Sequence, residues 1–206
     1  MKPVDKKIYL ASKSPRRREL LRQIGIDFEL LLLRSDGPRG ADVTEDVLPG
    51  EAPAVYVARV AREKAAFAYT LQFRRHLTPR AVLSADTTVT IDGEILGKPA
   101  NPNEAKAMLR RLSGRTHQVL TSVAVHHADF TGQVTQVSDV RFCPLSEAAI
   151  DAYCATQEPY DKAGGYGIQG LAAQFIEHIE GSHSGIMGLP LFETAQLLRQ
   201  AGLPLP

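Results

Sequence analysis

The chain has only two cysteines in 206 residues. Cys143 and Cys154 show neither CxxC spacing nor a histidine partner pattern. That excludes the common zinc and dithiol motifs and reads as free thiols in a reducing compartment. Excess charge is equally scarce, because 24 Lys and Arg against 23 Asp and Glu leave a formal net charge of +1. Such a balance argues against a protein whose main work is to coat nucleic acid or an anionic membrane, although a local basic cluster could still hold one phosphate group. Long apolar runs are missing too: a run such as Leu30 to Leu33 is far too short to cross a bilayer. The charged opening, with Lys7, Lys13, Arg16, Arg17, Arg18 and Glu19, leaves no room for the apolar core of a signal peptide. A cytoplasmic protein is expected, with neither a membrane nor a nucleic-acid polymer as partner. No GxxxxGK[ST] or GxGxxG opens a helix, so neither a Walker P-loop nor a Rossmann fingerprint is present. Internal repeats and low-complexity tracts are absent as well.

What is there is an ordinary globular composition, 44% hydrophobic and 23% charged, without linker-like stretches. It suits one α/β domain, or two small lobes sharing a core, over residues 1–206. The most informative position is Asp86. It sits inside Ala81 to Ile91, a run that otherwise reads as a buried β-strand. Desolvating a lone carboxylate costs several kcal/mol, roughly, so such a residue is tolerated mainly when a metal, a cation or a reaction uses it. The plainer reading is an Asp that ends the strand or accepts hydrogen bonds from Thr87 and Thr88.

Lys7 to Ala11 reads as a strand and Arg17 to Ile24 as a helix with Gly25 as its stop. Between them, Ser14 suits an N-cap and Pro15 the first helical position. Hydroxyls and cations (Ser12, Ser14, Arg16, Arg17) gathered at a helix N-terminus can receive an anion; a capped helix with solvated arginines is the bland alternative. Phe28 to Leu33 reads as a second strand. The acidic loop that follows carries Asp36, Asp42, Glu45 and Asp46 with Gly37, Gly40 and Gly50, and could supply a metal ligand. Pro53 to about Phe73 is a long Ala-rich helix in which Lys64 would ordinarily be a snorkelling surface lysine. Asp92-Gly93 has hairpin chemistry and leads through Glu94 to Gly97 to Lys98. Asn103 to Leu112 is an amphipathic helix, His117 to Val125 and Val134 to Phe142 an antiparallel pair, and Ser146 to Ala155 a capped helix. Four glycines between Asp161 and Gly170 give a permissive backbone and room for close approach to a ligand, or simply a cluster of turns. Phe175 to Ile179 and Leu191 to Gln200 complete the chain as strand and helix.

Acids (Asp86 and Glu45), cations (Arg16, Lys64, Lys98, Lys162) and an amide, Gln169, on the glycine-rich loop suit phosphoryl chemistry on a nucleotide. Three stretches resemble the Maf family of nucleoside triphosphate pyrophosphatases: Leu10-Ala11-Ser12-Lys13-Ser14-Pro15-Arg16-Arg17-Arg18-Glu19-Leu20-Leu21, Ser84-Ala85-Asp86-Thr87-Thr88-Val89 with Gly97-Lys98-Pro99, and Asp161 to Gly170. The resemblance runs in order from about Ile8 to Leu198. It implies a Maf/ITPase-like α/β fold, a long twisted mixed sheet with flanking helices and two lobes around a central cleft. It also implies a homodimer that uses a divalent metal, Mg²⁺ or Mn²⁺. By position the family's acid or base aspartate falls on Asp86, and its phosphate-binding serine, arginine and lysines fall on Ser12, Arg16, Lys64 and Lys98. Arg16, Thr87 and Gln169 are similar to the subgroup that acts on dTTP and UTP, whereas the 7-methyl-GTP subgroup tends to Trp, Gln and Glu. A role as a nucleotide-binding regulator of septum formation is the rival from another class. One departure stands out. The family's Val-Asp-Glu follows the second strand closely, while here Val43-Thr44-Glu45 comes after extra residues and lacks the middle Asp, with Glu45 as the implied metal ligand beside Asp86.

Overall fold

The computed structural model describes residues 7–35 and 40–205; Asp36 and Gly37 of the acidic loop lie outside them. The architecture is mixed α/β. Among the described residues one seven-stranded sheet runs in the order β2-β1-β3-β5-β6-β7, with β4 pairing β3 off that path. Its strands are β1 (Ile8–Leu10), β2 (Phe28–Leu30), β3 (Val82–Ile91), β4 (Glu94–Leu96), β5 (Thr116–His127), β6 (Phe130–Phe142) and β7 (Ile176–Glu180). β1 is parallel to β2 and β3. The β3–β4, β3–β5, β5–β6 and β6–β7 pairs are antiparallel, so the expected mixed sheet with flanking helices is present.

Local chemistry sets most boundaries. Helix α1 (Pro15–Gln23) is capped by Ser14, whose hydroxyl accepts from the Arg17 amide, and Pro15 opens it as expected. It therefore starts two residues before Arg17. The second strand stops at Leu30, three residues short of Leu33. Its partner β1 is only three residues long, so beyond the Leu31 amide bonding the Leu10 carbonyl there is no ladder to extend. Helix α2 (Pro53–Arg74) packs its buried alanines, Ala61, Ala65 and Ala68, toward the sheet. Small side chains let the helix approach closely enough for the Ser84 hydroxyl to reach the Ala61 carbonyl at 2.5 Å. Helices α3 (Pro102–Leu112), α4 (Glu147–Cys154), α5 (His183–Ile186) and α6 (Leu191–Gln200) complete the set. The one-turn α5 carries no apolar periodicity and has no counterpart in the sequence reading. Both cysteines are free thiols, and no described helix is long and apolar enough to cross a membrane.

Besides the small clusters under α2, the apolar core forms two large ones. One gathers Leu83 and Ala85 of β3 with Val123 and Val125 of β5, α1 and α6. The other gathers Val89 and Ile91 of β3 with Val119 of β5, α3, α4 and Phe142. Between them each strand turns polar, at Asp86-Thr87-Thr88 on β3 and at Thr121-Ser122 on β5, and the register places Asp86 opposite Ser122 and Thr87 opposite Thr121. On its other edge β3 is paired with β1 only as far as Leu83 and with β4 only from Val89. Strand β3 thus has an open edge at its polar centre.

His117 sits in the second cluster, 2% exposed, with Nε2 at 2.6 Å from the Tyr166 hydroxyl and Phe142 edge-on at 5.1 Å. Nδ1 has no partner among the described residues. Burial pushes the imidazole down to about 4. Between pH 6.5 and that value the unfolded chain binds a proton that the fold does not. The stability this ring contributes is full above pH 6.5 and is lost as pH falls through about 4, by up to roughly 3 kcal/mol. Urea midpoints of wild type and His117→Gln at pH 7 and pH 4.5 should show a smaller acid loss in the variant; equal losses would refute this account.

Candidate active site

A cleft of about 1120 Å³ opens at the unpaired edge of β3. Ser12, Ser14, Arg16, Arg17, Glu45, Lys64, Asp86, Thr87, Lys98, Lys162 and Gln169 all line it, so the residues expected to bind substrate or metal or to act in catalysis come to one place, whereas Asp42 of the acidic loop does not line it. They arrive from the β1–α1 junction, the acidic loop, α2, β3, the segment after β4 and the glycine-rich loop.

The floor is an ion-paired trio. Lys64 Nζ lies 2.9 Å from Asp86 Oδ1 and 2.7 Å from Glu45 Oε1. Its side chain is 14% exposed, so this lysine points across to β3 and does not snorkel to the surface. Asp86 is buried and Glu45 half-exposed. Burial alone would raise the Glu45 carboxyl. The Lys64 ammonium, through its field and its hydrogen bond, outweighs that with help from Lys98 and Arg17, and holds the group below the ordinary range.

The two arginines at the head of α1 differ in kind. Arg17 is built into the wall: its Nε donates to the Gly188 carbonyl at 2.8 Å, one terminal nitrogen to Ser12 Oγ at 3.2 Å and the other to Thr87 Oγ1 at 3.1 Å. Burial pulls its pKa below the usual guanidinium value, against the opposing field of Asp86. Arg16 is partly exposed toward the cleft, and the nearest acid is Asp161 at 4.0 Å.

On the opposite lip, Lys162 donates to the Glu158 carbonyl at 2.8 Å and pairs with Asp161. Glu158 organises this loop: its carboxylate accepts from Tyr153 hydroxyl and from the Leu171 and Ala172 amides. The glycines are explained by the protein's own atoms. A Cβ at Gly164 (φ +70°) would lie 2.9 Å from the Val89 side chain, and one at Gly170 would lie 2.3 Å from the Glu158 carboxylate. Lys98 and Gln169 are exposed and make no hydrogen bond or ion pair within the described residues, leaving both to meet a ligand.

Sequence reasoning missed four supports. Tyr56 donates to the Glu45 carbonyl at 2.9 Å. Arg59 grips Glu51 at 2.6 Å and the Asp46 carbonyl at 2.9 Å, so α2 holds the Glu45 segment as well as supplying Lys64. Their i, i+3 spacing on α2 was the one available signal. Thr121 and Glu158 gave none, since their importance comes from strand register and from a loop that folds back on itself.

Among the described residues no group of three or more His, Cys, Asp or Glu is placed to hold a metal ion. Two carboxylates converging on one ammonium are still a hard-oxygen donor pair of the sort that takes Mg²⁺ or Mn²⁺ when phosphate oxygens and water complete the shell.

An α/β sheet opened at a polar stretch, with acids on its floor and cations on both lips, defines a protein that handles a polyphosphate. The chain belongs to the Maf family, whose model, described as Maf-like protein, matches residues 7–201. It is similar to a protein of Aromatoleum aromaticum named dTTP/UTP pyrophosphatase, 58% identical over 100% of both chains. Proteins of the same name from Ralstonia nicotianae (56% identical, 96% of this chain and 95% of that one) and Dechloromonas aromatica (51%, 95% and 98%) are also similar. Among solved structures, the Staphylococcus aureus Ham1 protein matches 66% of this chain and 71% of its own at 15% identity and a TM-score of 0.42.

The contrast between the arginines is testable. Arg17→Ala should cost stability, about 2–4 kcal/mol, because it strips a buried carbonyl and two hydroxyls of their donor. Arg16→Ala should leave the melting temperature near wild type and raise KM for a nucleoside triphosphate. Melting curves and steady-state kinetics on both variants check this; a reversed pattern would show the roles to be exchanged.

Proposed function

We propose that the protein is a dTTP/UTP pyrophosphatase that hydrolyses the bond between α- and β-phosphates, releasing the nucleoside monophosphate and pyrophosphate. The observation that carries the reading is the Glu45–Lys64–Asp86 trio at the open edge of β3, in a chain similar over its whole length to proteins bearing that name. Asp86, buried beside an ammonium, stays placed to orient the attacking water and take its proton as oxygen bonds to the α-phosphorus and the bridging bond breaks. Lys98, Arg16 and Lys64 stabilise the charge that gathers on the departing pyrophosphate. Ser12, Ser14 and the head of α1 hold phosphate oxygens, and Arg17 keeps that corner rigid. Lys162 adds charge at the far lip. Glu45 and Asp86 would hold Mg²⁺ or Mn²⁺. When bound, such an ion supplies charge neutralisation and polarisation of the phosphate.

Gln169 and Thr87 are the groups that read the base. The Gln169 amide brings a donor that matches the O4 shared by uracil and thymine, and the Thr87 hydroxyl an acceptor that matches their N3–H. The setting we propose is the cytoplasm, and the working unit a homodimer, which sedimentation of the purified protein tests directly.

A panel of canonical and modified triphosphates with Mg²⁺ or Mn²⁺, scored by monophosphate and pyrophosphate formed, tests the activity. dTTP and UTP should lead, and a lead for 7-methyl-GTP, or no turnover at all, would overturn the reading. Asp86→Asn should remain folded and lose at least roughly a hundredfold in kcat; near-normal turnover in the folded variant would remove Asp86 from the chemistry. Gln169→Glu should cut kcat/KM on UTP by about 1–3 kcal/mol in transition-state stabilisation and lower the ratio of UTP to 7-methyl-GTP. An unchanged ratio would mean that Gln169 does not read the base.

A further inference from the structure

Two hydroxyls face the cleft from either side of Arg17, and their hydrogen-bond partners leave them with opposite capacities. Ser12 Oγ accepts from an Arg17 terminal nitrogen at 3.2 Å and from the Ser14 amide at 3.2 Å. A hydroxyl has two acceptor sites and one proton, so Ser12 has only its proton left to offer. Thr87 Oγ1 accepts from the other terminal nitrogen of Arg17 at 3.1 Å and lies 2.9 Å from Thr121 Oγ1. Thr121 is fully buried and 2.7 Å from the Gly185 carbonyl, a group that can only accept. The Thr121 proton is therefore spent on Gly185, and the proton between the two threonines belongs to Thr87. The chain runs in one direction, from Arg17 through Thr87 and Thr121 to Gly185. Thr87 is left with one lone pair and no proton for a ligand.

We propose that Thr121, with Arg17, is a positioning residue for base selection: it holds the Thr87 hydroxyl as an acceptor and so reserves it for the N3–H of uracil or thymine against the N3 lone pair of cytosine. The inference rests on the dTTP/UTP reading of the site. A sugar hydroxyl can donate or accept, so a committed proton would not matter to it, and phosphate oxygens only accept. Two groups of a pyrimidine base have a fixed polarity that changes sign between uracil and cytosine, N3 and the substituent at position 4; of these only N3–H is a donor in uracil or thymine, so it is the one that a hydroxyl without a free proton can receive. Ser12, the mirror case, offers a proton to a group that only accepts, as a phosphate oxygen does.

The test is the ratio of kcat/KM for UTP over CTP in wild type, Thr121→Val and Thr121→Ser, with melting temperatures measured in parallel. Valine keeps the shape and removes the acceptor, which frees the Thr87 proton to turn toward cytosine N3. The ratio should fall at least about tenfold in Thr121→Val, the order expected for one mismatched buried hydrogen bond. Serine restores the hydroxyl and should keep the wild-type ratio. If the valine variant does not fold, Thr121→Ala carries the same arm. An unchanged ratio in the folded variant, an equal fall in Thr121→Ser, or a wild type that takes UTP and CTP alike overturns the proposal and leaves the pyrophosphatase reading intact. A wild type that turns over neither UTP nor dTTP overturns both.

Discussion

One ammonium makes this site tenable. Asp86 is a carboxylate in the middle of a buried strand, a placement that costs several kcal/mol, roughly, without a partner. Lys64 reaches it from α2 and meets Glu45 with the same nitrogen. The arrangement requires α2 to lie close to the sheet, and the alanines at 61, 65 and 68 provide that proximity. The charge balance of the floor is therefore tied to the packing of a helix on the face of the sheet. Two carboxylates against one ammonium leave a net negative floor that would repel a triphosphate; the cations on the two lips oppose that sign, as the divalent ion proposed above would.

The position of the cleft follows from strand pairing. The two central pairing partners, β3 and β5, each carry apolar residues at both ends and polar residues between, and the register aligns those polar stretches. On the free side, β1 leaves β3 before the polar centre and β4 joins after it. Side chains of alternating parity then become reachable from one opening: Asp86 on the α2 side, Thr87 on the side of Arg17. This lets an acid floor and a hydroxyl relay serve the same ligand without touching each other.

Much of this was legible in the sequence, for identifiable reasons. The helix start at Ser14-Pro15 was readable because caps are local chemistry, and β3 because its run of buried-strand character is long. Asp86 stood out as a charge within that run. The distinction between Arg16 and Arg17 was not legible, since which of two adjacent arginines turns inward depends on the Gly188 carbonyl, 171 positions away. The shortness of β2 depended on how little of β1 there was to pair with. The glycines of the 161–170 loop were readable as close approach, yet the near neighbours are Val89 and Glu158, atoms of the protein itself.

The segment bearing Glu45 is fastened at both of its ends: Asp42 accepts from the Arg34 amide and guanidinium at 2.8 Å, and Glu51 is gripped by Arg59. In polymer terms, Glu45 belongs to a short tether with fixed ends, and the chain upstream of Asp42 belongs to another. Closing a flexible loop costs only about 0.6 kcal/mol more for each doubling of its length. Residues can therefore be gained or lost before Asp42 at small entropic cost while the reach of Glu45 to Lys64 is unchanged, so the post of the carboxylate does not depend on the length of chain that leads to it.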